Sequence, residues 1–341
     1  MNDTNKGRRP GRRRSFKLCA YSEAGTSHIR RGKGCEDMAA AGIDPATGVA
    51  VAAVSDGAGS CTFASEGAQI TARAALDYVL GQFDALYEQD GETFANGILG
   101  FIRSELMGAA EMLHTDITEL SATLLLTAIA PDGRYLYLHV GDGLIVACNA
   151  EAGAWIMSQY HHTIAPNFTT FVTVPDTEYD YGKGRGGIDG FLLCSDGPEL
   201  AFTDEEGFAL WCEPLLRSAF LFTPARMERE LRRMVLFLKN EGMYDDCTII
   251  TLADRTRSAG IYATMTPAQQ QEMFRSMECR TSREAEALFA ALTLLTAEPA
   301  GVSLGRLTRV MHLHKPQFAA RRLWPLDRDG ILAVENGRYR F

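Results

Sequence analysis

Five acidic positions in this chain share one setting. The run VAAVSDGAGS (51–60) is apolar and ends on Asp56-Gly57-Ala58-Gly59. Asp142 follows a second apolar run, in HVGDG, and Asp196 a third, in LLCSDG. Glu36-Asp37 (GKGCEDMAA) and Asp245-Asp246 (YDDCTIITL) stand just before two more. Taken singly, each reads equally as an ordinary turn or cap. Five together are harder to explain that way, because gathered carboxylates repel one another unless a cation lies between them. Donor sets made only of oxygen suit hard ions such as Mg²⁺ or Mn²⁺. The adjacent glycines let a ligand approach the backbone closely.

The elements that must position these acids are short. VAVAAVS, SATLLLTAIA, RYLYLHVGD, GLIVACNA, DGFLLCSDG and CTIITLA read as strands, bounded by Gly, Asp or Asn. Asp132-Gly133-Arg134 reads as a hairpin turn between two of them. SEGAQITARAALDYVLGQF places Ala68, Ala72, Leu76, Val79 and Phe83 on one helical face, with Ser65 as N-cap. Helices are also expected over 92–114 and 224–240. Strands cluster, with helices between the clusters and no regular βαβ alternation, so the class is α+β with largely antiparallel sheets. Residues 160–187 read as a long irregular flap. Their match to G-x-G-x-x-G (Gly182, Gly184, Gly187) lacks the strand-before, helix-after setting that a dinucleotide site needs. His161-His162, at the start of that stretch, read as an exposed pair.

Composition limits the alternatives. With 341 residues, 46% hydrophobic and 23% charged, the chain can bury a sizeable core in about two domains. No apolar run is long enough to span a bilayer, so no membrane partner is expected. The basic start, MNDTNKGRRPGRRRSF, has no apolar segment after it and reads as a disordered tail over residues 1–15. Eight scattered cysteines, several inside apolar runs, suit a reducing cytoplasm. The net charge of −9 is uneven: residues 1–14 and 302–341 each carry +5, which leaves −19 on the body between them. An acidic body does not suit general binding to a phosphate backbone. No cysteine has an arginine six positions on, and no G-x4-G-K-[ST] loop exists.

The ordered set Glu36-Asp37, DGAG (56–59), SEGA (65–68), SATLL (121–125), VGDG (140–143), SDG (195–197) and DDCT (245–248) resembles the metal-dependent type 2C (PPM) protein phosphatases. GTSHIRRGKGCED and NFTTFVT look most like a bacterial branch of that family. The resemblance covers about residues 18–253. It implies an αββα sandwich of two antiparallel sheets flanked by helices, with a site for two metal ions, Mn²⁺ or Mg²⁺, at one end. By this resemblance Asp56 bridges both ions and the Gly57 carbonyl binds one of them. Asp196 and Asp245 complete the first ion, Glu36 binds the second, and Asp37 holds a metal-bound water. The implied activity is hydrolysis of phosphoserine and phosphothreonine in proteins by a metal-bridged water, opposing a Ser/Thr kinase. Asp246→Asn is expected to be milder than Asp245→Asn, since family members often carry Asn there.

The chain departs from the family pattern in places. Asp142 matches an acid that helps to hold a third ion, but the usual partner position, four residues after Asp196, is Leu200, with Glu199 one residue off. The third ion is therefore left open. The family's phosphate-binding arginine falls on Gly32. Arg30, Arg31 and Lys33 lie beside it, as phosphate ligands or as solvated surface. His28 reads either as a general acid or as a structural histidine.

Composition shifts near 255–265. Helices at about 282–297, 303–312 and 315–326, followed by a hairpin at 330–341 around Asn336-Gly337, have the layout of a winged helix over 265–341. Residues 16–255 are then the phosphatase domain, and deleting 260–341 is expected to leave the metal site intact. An alternative reading makes the chain a catalytically weak regulator or scaffold. In that reading the basic C-terminal unit binds DNA or a partner protein.

Overall fold

Each apolar run pairs with a neighbour as an antiparallel strand, because a strand buried on both faces must satisfy its backbone groups within the sheet. The computed structural model describes residues 14–150, 152–159, 169–199, 205–276, 281–328 and 331–341. In chain order the elements begin β1 (Phe16–Glu23), α1 (Thr26–Arg30), β2 (Asp37–Ile43), β3 (Ala50–Asp56), α2 (Ala64–Glu88) and α3 (Gly91–Leu113). They continue β4 (Leu124–Ile129), β5 (Arg134–Val140), β6 (Leu144–Asn149), β7 (Gly153–Gln159), β8 (Asp180–Arg185) and β9 (Gly190–Cys194). Next come α4 (Asp196–Glu199), α5 (Glu205–Leu221), α6 (Pro224–Asn240), β10 (Cys247–Asp254), α7 (Ser258–Thr264) and α8 (Pro267–Ser276). The chain closes with α9 (Ser282–Ala297), β11 (Val302–Ser303), α10 (Leu304–Val310), α11 (Pro316–Arg328), β12 (Ala333–Glu335) and β13 (Arg338–Arg340).

Two five-stranded antiparallel sheets result, in the orders β1-β10-β9-β6-β7 and β2-β3-β4-β5-β8. The strand β3 shows how they pack. Ala50, Ala52 and Val54 point into the core shared with the facing sheet, against Phe191, Leu193, Ile250 and Leu252. Val51 and Ala53 point the other way, under α2 and α3, with Val79, Phe94 and Ile98. The period-2 alternation of a strand thus fills two separate cores with small residues. Over the other sheet, α5 and α6 bury Phe208, Leu216, Phe220, Leu231 and Val235 against Val146, Leu192 and Ile249. The layers run helix, sheet, sheet, helix.

Several details differ from the sequence reading. Ser65 lies inside the first turn of α2; the N-cap is Phe63, which makes no side-chain cap. The expected flap over 160–187 contains a strand, β8, which pairs along β5 at the sheet edge. Gly182 and Gly184 lie under the rings of Tyr137 and Tyr135: a Cβ would stand 2.6 Å and 2.5 Å from them. Those glycines therefore serve packing rather than a nucleotide. His161, His162, Asn167 and Leu200 lie outside the described residues, as do residues 1–13 of the basic tail. Arg14 is docked: its guanidinium donates to Ile188 O at 2.8 Å and lies 3.4 Å from the buried Asp254 carboxylate.

Beyond β10, α9, β11, α10, α11 and the β12–β13 hairpin follow the order helix, strand, helix, helix, strand, strand, with sheet order β11-β13-β12. Asn336 and Gly337 take φ values of 50° and 72° at the hairpin tip, as a primed two-residue turn needs. The core of this unit is continuous with the α5–α6 layer. Leu292, Leu295, Leu307 and Leu323 join Phe220, Ile261 and Tyr262 in one cluster, and Tyr262 meets the Phe341 ring edge-on at 5.3 Å.

Candidate metal centre

The register of the two sheets carries the acids to one end of the sandwich. Across the β2–β3 ladder Asp37 is paired directly with Asp56. β10 runs beside β9 with Ile249 opposite Cys194, so Asp245-Asp246 and Asp196 emerge from the same edge. Ser195 N donates to Thr248 O at 3.0 Å and ties those two strand ends together. Asp142 occupies the β5–β6 turn between Gly141 and Gly143, and the charge of Asp142 is felt at Asp56.

Close backbone approach at this end requires glycine. A Cβ on Gly57 would stand 2.3 Å from Ala64 O and 3.0 Å from Glu36 O; one on Gly197 would stand 1.9 Å from Asp246 O. The small residue after each strand-end acid is thus needed for packing, quite apart from any ligand role of its carbonyl.

Electrostatics show what the cluster lacks. Burial, followed by the charges of Asp37, Asp196 and Asp142, holds the Asp56 carboxyl well above the usual range. Burial also pushes Asp37 up to about 6, against the hydrogen bond that Ser195 Oγ donates to Asp37 Oδ2 at 2.8 Å. Ser195 Oγ is held in turn by Thr248 N at 2.9 Å. Glu36 is buried and its Oε2 has no hydrogen-bond partner, while its Oε1 accepts from Lys33 Nζ at 2.9 Å. A carboxyl whose proton affinity is raised by three neighbouring acids, with an orphaned buried oxygen nearby, fits divalent cations. The nearby thiols of Cys35 and Cys247 do not join the set. Burial first, and then neighbouring acids, hold both in the protonated form.

Asp246, treated by the sequence reading as the lesser member of its pair, is the anchor of the site. It is buried; Oδ1 accepts from Gly25 N at 2.6 Å, and Oδ2 accepts from Glu36 N at 2.6 Å and faces His28 Nδ1 at 2.8 Å. One side chain therefore binds β10 to α1 and to the start of β2. Ser195, Thr123 and Thr248 were also overlooked, although each lies inside a quoted motif. Thr123 Oγ1 accepts from Asp56 N at 3.0 Å. Asp245 is half-buried, and its Oδ1 accepts from Asp246 N at 2.9 Å. Arg30 and Arg31 are exposed.

The profile of the protein phosphatase 2C family matches residues 24–239. Serine/threonine-protein phosphatase 3 of Escherichia coli (strain K12) is 31% identical over 140 residues, 39% of this chain and 53% of that protein. The chain thus spans about half the length of the curated relative it matches. Among solved structures, a bacterial serine phosphatase superposes with TM-score 0.53 at 16% identity, covering 70% of this chain and 98% of that one. Stp1 of Staphylococcus aureus gives 0.52 at 16%, covering 73% and 98%, and PstP/Ppp of Mycobacterium tuberculosis 0.50 at 17%, covering 70% and 98%. These likenesses show the four-layer fold, and the profile spans more than half of the residues. With its strand-end acids in the family's order, this chain belongs to the protein phosphatase 2C family.

Proposed function

We propose that the chain hydrolyses phosphoserine and phosphothreonine monoesters in proteins with two divalent ions, Mn²⁺ or Mg²⁺, as cofactors. The observation that carries this reading is the Asp37–Asp56 pair. The two carboxyls stand opposite each other, Asp37 buried and Asp56 half-buried, with the charges of Asp196 and Asp142 felt at Asp56, so both hold their protons more tightly than free carboxyls do unless cations replace them. When bound, two ions supply an activated water at neutral pH and hold phosphoryl oxygens for in-line displacement. Asp56, at the end of β3, is the carboxylate that would hold both ions; the Gly57 carbonyl and Glu36 would help to hold one, and Asp196 and Asp245 the other. Asp37, oriented by Ser195, is the group suited to hold and align the attacking water and to take its proton. Lys33, exposed and resting on Glu36, suits the phosphate of the substrate. Asp142 supplies one acid toward a third ion; the reading rests on two.

The phosphatase unit is assigned to residues 16–255 and an accessory winged-helix-like unit to 265–341. A phosphoprotein, phosphorylated by a Ser/Thr kinase in the reducing cytoplasm, is the partner that suits this chemistry. The described cysteines are all free, and no helix among the described residues is long and apolar enough to cross a membrane. Nucleic acid is left out of the reading, because the body carries net −19 against +5 on the C-terminal segment. The test is hydrolysis of a phosphothreonine peptide with Mn²⁺, with Mg²⁺ and with chelator. Activity should need metal, should vanish in Asp56→Asn, and should fall steeply in Asp196→Asn and Asp245→Asn. Full turnover in chelator overturns the reading.

A further inference from the structure

His28 has an orientation that the oxygen-only reading leaves unexplained. The helix α1 is one turn long and is stitched to the 244–246 segment from both sides. Ser27 N donates to Tyr244 O at 2.9 Å, and Gly25 N donates to Asp246 Oδ1 at 2.6 Å. The imidazole that α1 carries is buried, with Nδ1 2.8 Å from Asp246 Oδ2. Asp246 otherwise receives only backbone N–H donors, so it acts as an anionic acceptor and Nδ1 carries the proton. In the neutral ring the lone pair is then on Nε2.

Nε2 lies 3.6 Å from Glu36 Oε2, the buried oxygen with no hydrogen-bond partner. That distance is too long for a direct hydrogen bond. It leaves room for one ion between the two donors: at bond lengths of about 2.1 Å adjacent positions of an octahedral ion lie about 3 Å apart, a closure of about 0.6 Å from the distance seen. His28, Asp245 and Asp246 each bring one ligand atom within 4.8 Å of the others, so the imidazole lies at the edge of the acid cluster. A carboxylate that fixes the tautomer of a histidine whose second nitrogen faces an orphaned acid is the usual support for a metal-ligating imidazole.

We propose that His28 is itself a metal ligand, binding through Nε2 the ion held by Glu36, so that this centre has a mixed nitrogen and oxygen donor set. The inference rests on the metal-centre reading above. Its consequence is selectivity. Imidazole favours transition metals, whereas Mg²⁺ gains little from exchanging a water for nitrogen. The centre therefore prefers Mn²⁺ or Fe²⁺ to Mg²⁺ by a margin that His28 sets.

The test uses the full chain loaded with Mn²⁺ and electron spin-echo spectroscopy of the bound ion. The expected result is nitrogen modulation from one coordinated imidazole, altered by ¹⁵N-histidine labelling and absent in His28→Gln. By calorimetry, His28→Gln should lose about 10–100-fold in Mn²⁺ affinity and less than about threefold in Mg²⁺ affinity. Thermal unfolding in chelator checks that the variant is folded, and the wild-type spectrum decides the matter even if it is not. Bound Mn²⁺ without imidazole nitrogen in the wild-type spectrum overturns the ligand role and leaves the metal centre standing. So does a His28→Gln variant that binds Mn²⁺ normally and changes only the pH–rate profile, which would make His28 a proton donor. A wild-type chain that binds no Mn²⁺ overturns the metal-centre reading as well.

Discussion

The acid pair at the centre of the site makes the metal-free protein sensitive to pH in an unusual direction. Asp37 holds its proton up to about pH 6 in the folded chain, against an ordinary value of 3.8. The folded state therefore binds more protons than the unfolded state between about pH 4 and pH 6, and stability falls as pH rises through that window. The full shift corresponds to about 3 kcal/mol. Between pH 5 and pH 7.5 it contributes about 1.4 kcal/mol, since the part of the window below pH 5 has already been passed. For a chain of this length that is about 2 °C in Tm, with Asp56 acting in the same direction. The assay is thermal unfolding in chelator at pH 5 and pH 7.5 for the wild-type chain and for Asp37→Asn, which keeps the shape and removes the titrating group. The wild-type Tm should fall at the higher pH by at least about 2 °C more than that of Asp37→Asn. Saturating Mn²⁺ should reverse the sense, because deprotonated ligands bind metal and its stabilisation grows with pH. Equal pH dependence in the two metal-free chains, or a wild-type chain more stable at pH 7.5 without metal, would refute the picture of acids buried face to face.

Asp246→Asn should lower stability in chelator by about 1.5–3 kcal/mol, because an amide cannot accept from Gly25 N, Glu36 N and His28 Nδ1 as the carboxylate does; thermal unfolding measures it. Lys33→Ala should raise KM for a phosphopeptide and tighten Mn²⁺ binding a few-fold, since it removes both a phosphate-facing cation and the competitor resting on Glu36 Oε1; steady-state kinetics and calorimetry separate the two effects. Tyr262→Ala should cost about 3 kcal/mol, as for other large buried aromatics, because Tyr262 joins the C-terminal unit to the α5 layer. By the same contact, deleting 260–341 should strip that face of α5 and lower Tm while leaving the strand-end acids in place; the truncated chain's unfolding curve checks it.

Much of the frame was legible in the residues. Near-continuous apolar runs such as 50–56 and 247–254 announced strands, because both faces of these strands are buried. Asn336-Gly337 placed the last hairpin, since few residue pairs tolerate two consecutive positive φ values. The strand-end acids stood out because a carboxylate closing an apolar run has a desolvation cost that something must offset. What no local pattern contained was which atoms meet. The roles of Asp246 and Ser195 come from contacts between positions far apart in the chain, 218 residues for Asp246 with His28 and 158 for Ser195 with Asp37. The sequence setting of Gly182 and Gly184 argued against a nucleotide site, but their packing under Tyr137 and Tyr135 came only with the pairing of β8 along β5. The C-terminal unit looked separate because composition changes at its border, yet its apolar faces close on those of α5. Local residue type determines which faces are apolar and which ends are charged. Only the packed sheets determine which charged ends coincide, because register is set by the sum of all side-chain contacts along the paired strands.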